Sequence, residues 1–249
     1  MKKPRSPLIP TLGERGFICG QTGSGKTGFS VFLLERIETA PIFIYDTKDE
    51  SKFLALPRRI IVSSTEQARE AYENPEIDYI IVRPDAHIIG DAKALDDLLF
   101  YHYMNFHHSV AYIDEVGSFH NANQAYKGLI NLLQRGRSRG ITTIMASQRP
   151  RAISRAIISE AQKFYVFRLA DKDDRKRLGD VIPNFADLPL PMKFGFYFFE
   201  SGEDRAELFA PIKLEKKFDN GYIDTGGILL EDSAPVEPEE KGPLPHFWV

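Results

Sequence analysis

Short, uninterrupted apolar runs alternate with helical stretches along most of this chain. The runs are Phe17–Cys19, Pro41–Tyr45, Arg59–Val62, Tyr79–Val82, Ser109–Ile113, Ile141–Ala146 and Lys163–Leu169. Each is bounded by polar or turn residues and rich in Ile, Val, Phe or Tyr. They lack the polar–apolar alternation of a half-solvated strand, so they predict strands buried on both faces of a mainly parallel sheet. The stretches at 26–38, 65–73, 92–107, 122–138, 153–161 and 171–181 read as helices. The one at 92–107 sets Leu95, Leu98, Leu99 and Tyr103 at core spacing. Strands alternating with helices imply an α/β fold with helices on both faces of the sheet. From residue 192 the pattern changes. Lys193–Glu200 and Arg205–Leu214 read as a β-hairpin joined by Ser201–Asp204 and added at the sheet edge.

The flanks read differently. Residues 1–15 hold Pro4, Pro7 and Pro10 and predict an extended arm; residues 16–230 form one domain; residues 231–249 are an acidic, Pro-rich tail expected to be disordered alone. No run of 18 apolar residues offers a membrane span, and the basic N-terminus lacks the apolar core of a signal peptide. The lone Cys19 rules out an internal disulfide and reads as a packing residue. The net charge of −3 conceals an asymmetry. Residues 127–177 carry 13 Lys/Arg against 4 Asp/Glu, while 231–249 carry 5 Asp/Glu against 1 Lys. The basic block is a candidate nucleic-acid face, with a salt-bridged surface as the alternative.

Chemistry concentrates at the ends of three apolar runs. Gly20-Gln21-Thr22-Gly23-Ser24-Gly25-Lys26-Thr27 fits the phosphate-loop pattern G-x-x-x-x-G-K-[ST], follows a strand and opens a helix at Gly28. Its glycines let backbone N–H groups turn onto a β-phosphate, and the helix N-terminus adds partial positive charge. Lys26 reaches the β- and γ-phosphates of ATP, and the Thr27 hydroxyl sits on Mg²⁺. Val110-Ala-Tyr-Ile-Asp-Glu115 is a Walker B strand. Asp114 holds Mg²⁺ through its water shell, and Glu115 takes or orients the proton of the attacking water. That second acid favours ATP hydrolysis. A third run ends at Ser147-Gln148; laid beside the Walker B strand, it brings the Gln148 amide towards the γ-phosphate as a sensor. Before it stand Arg135, Arg137 and Arg139. Continued helical spacing puts Arg135 and Arg139 on one side and Arg137 on the other. One of the three is a candidate arginine finger for a neighbouring subunit; C-terminal dipole pairing is the alternative.

Taken in order, GQTGSGKT, IFIYDTKDE, AYIDE and RGRSRGITTIMASQRP resemble the FtsK/HerA superfamily of P-loop ATPases over roughly residues 13–215. The ASQRP ending, after an Arg-x-x-Gly-Ile stretch, is the most specific part. FYVFRLADKDDRKRL looks like the segment that follows the sensor strand in HerA-type proteins. The resemblance implies a RecA-like P-loop NTPase fold and a homo-oligomeric ring, usually a hexamer, that moves double-stranded DNA through a central channel. It makes Lys26 and Thr27 the Walker A pair, Asp114 and Glu115 the Walker B pair and Gln148 the sensor. It favours Arg137 as the trans finger and places Asp46 at an acidic position near the site. The size, with no winged-helix module and no N-terminal barrel, resembles the genome-packaging ATPases of membrane-containing double-stranded DNA viruses and phages. That implies capsid or portal-vertex partners and a place in the virion or the host cytoplasm. Small Zot-like assembly ATPases are also similar, and a nucleotide-dependent scaffold that docks a portal or export complex is the alternative function.

The remaining candidates are weaker. His102, His107 and His108 are not spaced as metal ligands. Arg149, Arg151 and Arg155 follow the sensor strand and are the first candidates for DNA phosphate contacts.

Overall fold

In the computed structural model, which describes residues 6–37, 40–120 and 127–212, the apolar runs pair into one nine-stranded sheet. Seven parallel strands are β1 (Arg15–Cys19), β2 (Ile42–Tyr45), β3 (Arg59–Val62), β4 (Tyr79–Val82), β5 (Val110–Ile113), β6 (Thr142–Ser147) and β7 (Lys163–Val166). Across the sheet they run β3-β4-β2-β5-β6-β1-β7. Then come β8 (Phe196–Glu200) and β9 (Glu207–Phe209), which add antiparallel beyond β7. The expected edge hairpin is therefore present but shorter. Its first strand starts at Phe196, because Met192–Gly195 closes into a turn with Gly195 N–H donating to Met192 O at 3.0 Å. Residues 213 and 214 of the expected second strand, and the whole 231–249 tail, lie outside the described residues.

The helices are α1 (Lys26–Leu34), α2 (Thr65–Glu73), α3 (Ala92–Asn105), α4 (Lys127–Arg135), α5 (Arg155–Ile158) and α6 (Lys172–Gly179). Side-chain caps start several of them. Ser64, Asp91, Ser154 and Asp171 accept from the first-turn N–H groups of α2, α3, α5 and α6. Helix α4 is seated by Asp96 on α3, whose buried carboxylate accepts from Gly128 and Leu129 N–H, both at 2.7 Å. A Cβ at Gly128 would lie 2.1 Å from the Asp96 carbonyl oxygen, so only glycine allows this approach. The contact matters because α4 leads directly into the arginine trio.

Successive strand residues point to opposite faces, and each face has its own core. Phe17, Phe43, Ile80, Ala111, Ile113 and Met145 pack with α2, α3 and α4. Ile18, Ile44, Ile81, Tyr112 and Ile144 pack with α1 and the 3-10 turn Ser51–Ala55. Leu8 joins this second core with no exposed surface, and Tyr165 Oη donates to its carbonyl at 2.5 Å. The described part of the N-terminal segment is thus seated on the domain. The expectation of burial on both faces fails at β3, where Ile60 and Ile61 are exposed. This strand ends the sheet, and of its four residues only Val62 is buried.

His102 shows how polar groups survive in this interior. It is wholly buried, with Nδ1 3.0 Å from Tyr45 Oη and Nε2 3.0 Å from Ser109 Oγ. Burial pushes its pKa down to about 3. The folded protein therefore keeps this imidazole neutral while the unfolded chain protonates it near pH 6.5. Between those values the unfolded state binds the extra proton, so this residue's contribution is complete above about pH 6.5 and is lost as pH falls. Denaturant titrations from pH 7 to 5 should show wild type losing stability faster than His102→Gln, by up to about 1.4 kcal/mol per pH unit. Parallel pH dependences would refute this account.

Candidate functional site

Three parallel strand ends assemble the site. In the order β5-β6-β1, the candidate sensor strand β6 lies between the candidate Walker B strand β5 and β1, which enters the glycine loop. The C-terminal ends of all three point the same way. Residues from positions 20–28, 114–115 and 147–148 are brought together by this order alone.

The loop has the build of an anion cradle. Gly20, Gly23 and Gly25 take φ of 156°, 75° and 108°. A Cβ at Gly20 would stand 2.6 Å from Phe167 Cβ and 2.7 Å from Ser24 Oγ. Gly25 begins α1 in the left-handed region, with no side chain capping the helix. The first-turn N–H groups of α1 are thus left to a ligand. Ser24 Oγ is buried and makes no hydrogen bond. An orphaned buried hydroxyl inside a glycine loop fits phosphate oxygens as its partners. Lys26 folds along the loop, its Nζ donating to Gly20 O at 2.5 Å and Gln21 O at 3.2 Å. Desolvation lowers its pKa. Thr27 follows on the first turn of α1, and Gly28 is buried beneath it.

Asp114 is 8% exposed and accepts from Tyr112 Oη at 3.0 Å. The same hydroxyl lies 2.9 Å from Ser30 Oγ on α1, which ties β5 to the helix that follows the glycine loop. Desolvation raises the Asp114 pKa to about 6. A divalent cation there would offset the cost of a buried carboxylate, so the donor set fits Mg²⁺ held with Thr27 and the nucleotide. Beside it, Glu115 Oε1 accepts from Ser147 Oγ at 3.0 Å. Gln148 Oε1 accepts from Thr22 Oγ1 of the loop at 2.8 Å. The amide at the tip of β6 thus touches the cradle itself.

Lys48 brings a further charge to this edge. Its Nζ pairs with Glu115 Oε2 at 2.9 Å, reaching across from the segment after β2. Asp46 shapes that segment. It is buried, accepts from Lys48 and Glu50 N–H at 3.2 Å each, and pairs with Arg83 at 2.9 Å. Asp46 therefore positions Lys48 rather than facing the loop. The signal for Lys48 in the sequence is the DTKDE segment directly after β2, since a strand beside β5 delivers the residues that follow it to the same edge.

The arginines depart from the helical expectation. Helix α4 stops at Arg135, and Gly136–Arg139 winds as a 3-10 turn closed by Gly140 at φ 68°. A 3-10 turn has three residues per turn, so helical spacing no longer applies. Arg135 and Arg137 share one open cleft of about 570 Å³ with Tyr103, Gln134 and Ser138. Arg139 turns away, donating to Tyr103 O at 2.8 Å and Met104 O at 3.1 Å, over the Tyr103 ring at 4.5 Å. It satisfies carbonyls at the end of α3 and is committed within its own chain.

The basic block does not form one face. Lys163 is buried against Glu200 at 2.9 Å and Pro7 O at 2.9 Å. Arg151 pairs with Asp171 and Asp173, each at 3.4 Å. Arg155 donates to Asp180 O at 3.3 Å, Arg175 to Ala186 O at 2.9 Å, and Arg177 pairs with Asp180 at 3.5 Å. Arg149 is exposed. Much of the +9 charge balance is therefore structural, as the salt-bridged alternative required. Cys19 is wholly buried, with its thiol pKa pushed up by desolvation, and it packs under the loop.

No protein-family model matches the chain. It is 24% identical over 220 residues to the DNA packaging ATPase P9 of Enterobacteria phage PRD1, covering 82% of this chain and 89% of that protein. The genome packaging NTPase B204 of Sulfolobus turreted icosahedral virus 2, solved with AMPPCP, superposes with a TM-score of 0.63. That match has 16% identity and covers 80% of this chain and 98% of that one. The plasmid coupling protein TrwB, solved with GDPNP, superposes at 0.57 with 10% identity over 90% of this chain and 94% of that one. The fold is that of a P-loop NTPase. In that P-loop NTPase frame the loop at Gly20–Thr27, the acids at 114–115 and Gln148 occupy one strand-end edge. No helix of the described residues is long and apolar enough to cross a membrane.

Proposed function

We propose that this chain is an ATP-hydrolysing, Mg²⁺-dependent motor that translocates double-stranded DNA and packages a viral genome. The observation that carries the reading is the convergence on Glu115. A carboxylate held by Ser147 and Lys48 stands on the strand next but one to the phosphate loop, and Gln148 touches that loop between them. A carboxylate so placed is what activation of water at a γ-phosphate requires. Binding alone needs only the cradle. The phage PRD1 packaging ATPase, similar over most of both chains, supports the choice of DNA as cargo. In this reading Lys26, Thr27 and Asp114 hold Mg²⁺–ATP, and copies of the chain close into a ring, a hexamer, around the duplex. The motor works at the packaging vertex of a virion or in the host cytoplasm, against capsid or portal proteins.

The test is ATP turnover with and without double-stranded DNA across a salt series. A DNA-translocating ring shows turnover that rises with DNA, whatever its sequence, and a stimulation that fades with salt because phosphate contacts release counterions. Turnover indifferent to DNA at every salt concentration would sink the motor and leave a nucleotide-dependent scaffold.

A further inference from the structure

Phe194 stands in a conformation that large side chains avoid. Its φ is 65°, in the left-handed region, where glycine or asparagine would close the same turn at less cost. The ring does not repay this by entering the core, since the residue is 36% exposed. It lies instead against the phosphate loop. A Cβ built on Gly25 would be 3.2 Å from Phe194 Cδ1 and 3.5 Å from Phe167 Cε1. Gly25 immediately precedes Lys26, so the exposed ring borders the cradle at the start of α1. Two tethers hold the segment there. Gln21 N–H donates to Arg168 O at 2.9 Å, and Arg168 Nη1 donates to Pro191 O at 3.3 Å. Met192, two residues earlier in the same turn, is 53% exposed. Lys193 Nζ stands 5.0 Å from the ring centroid. Gly195 locks the turn from behind: a Cβ there would meet Met192 Cγ at 2.9 Å and Phe209 O at 3.0 Å.

We propose that Phe194 is the platform on which the base of the nucleotide stacks. The inference rests on the nucleotide-binding reading of the phosphate loop and adds the part of the ligand that the loop does not hold. A phosphate chain anchored by the loop leaves its base at the rim of the site, and an aromatic face there contributes stacking to any base. Strained residues of this kind gather at ligand clamps. The ring itself carries no hydrogen-bonding group, and the ammonium that stands over it is a donor on a flexible stem. Recognition by the ring is therefore of a flat aromatic partner rather than of one base's edges.

Calorimetric titration with Mg²⁺–ATP and, separately, Mg²⁺–tripolyphosphate tests the assignment on the full chain. Phe194→Ala weakens ATP binding roughly ten-fold, the order expected for one lost stack, and leaves tripolyphosphate within two-fold. Phe194→Leu, which keeps bulk without an aromatic face, gives the same split. Phe194→Trp retains ATP affinity. Unchanged ATP affinity in the alanine and leucine proteins overturns the platform. An equal loss for both ligands also overturns it, because the residue then supports the loop and not the base. Wild-type protein that binds neither ligand sinks the nucleotide reading itself, an outcome distinct from the other two.

Discussion

Glu115→Gln binds Mg²⁺–ATP within about two-fold of wild type and hydrolyses it roughly 10²–10⁴-fold more slowly, the range for loss of a positioned general base. The amide is isosteric and still accepts from Ser147 Oγ, so the strand end keeps its shape. It cannot take a proton from water. It also removes the charge that Lys48 neutralises. Lys48→Ala therefore lowers turnover by a smaller factor, about ten-fold, by loosening Glu115, and Lys48→Arg recovers part of it. Lys26→Ala loses binding and turnover together, since its ammonium serves the phosphates in both ground and transition states. Single-turnover hydrolysis beside equilibrium nucleotide binding separates these cases. Near-normal hydrolysis in Glu115→Gln would remove Glu115 from the chemistry.

Arg137→Ala is expected to bind ATP normally and to lose roughly 10³–10⁵-fold in turnover, the range for an arginine finger. The structure sharpens why such a finger must act in trans. Arg137 precedes β6, whereas Gln148 follows it. Six strand residues at about 3.3 Å each separate the two ends of the sheet, so this side chain cannot reach its own phosphate loop. Arg139 is occupied by the carbonyls ending α3, which leaves Arg135 and Arg137 as the pair that shares an open cleft. Mixing Arg137→Ala with Lys26→Ala subunits should restore part of the activity wherever one supplies the loop and the other the arginine. Mixtures that exchange subunits and remain as inactive as either parent would count against a finger at 137. Arg135→Ala then becomes the next variant to measure.

The strands were legible because burial on both faces writes a continuous apolar run, whatever neighbours the strand acquires. The runs at β4 and β5 sit where the pattern put them. Strand β3 carries the same signature and is half exposed, because its place at the sheet edge is a property of strand order and not of its own residues. The phosphate loop was legible for a related reason. Its eight residues are contiguous, and its geometry is local. Asp114, Glu115 and Gln148 could be read because each ends an apolar run whose C-terminal end a parallel sheet delivers to one edge.

What the chain could not disclose was every contact that depends on which strands are neighbours or on where a helix stops. Lys48 meets Glu115 across 67 residues only because β2 lies next to β5. Arg137 and Arg139 sit within a 3-10 turn, so helical spacing put Arg137 on the wrong side of Arg135. The 127–177 charge looked like a face and is largely spent on partners such as Glu200 and Asp171. Phe194 reaches Gly25 across most of the fold. The sequence alone thus determined the fold class and the places of the glycine loop and the two acids, which are set by local pattern and by burial. The tertiary structure decided which charges pair, which arginines remain available and which ring flanks the loop, because electrostatic pairing and stacking depend on distances that only the packed sheet defines.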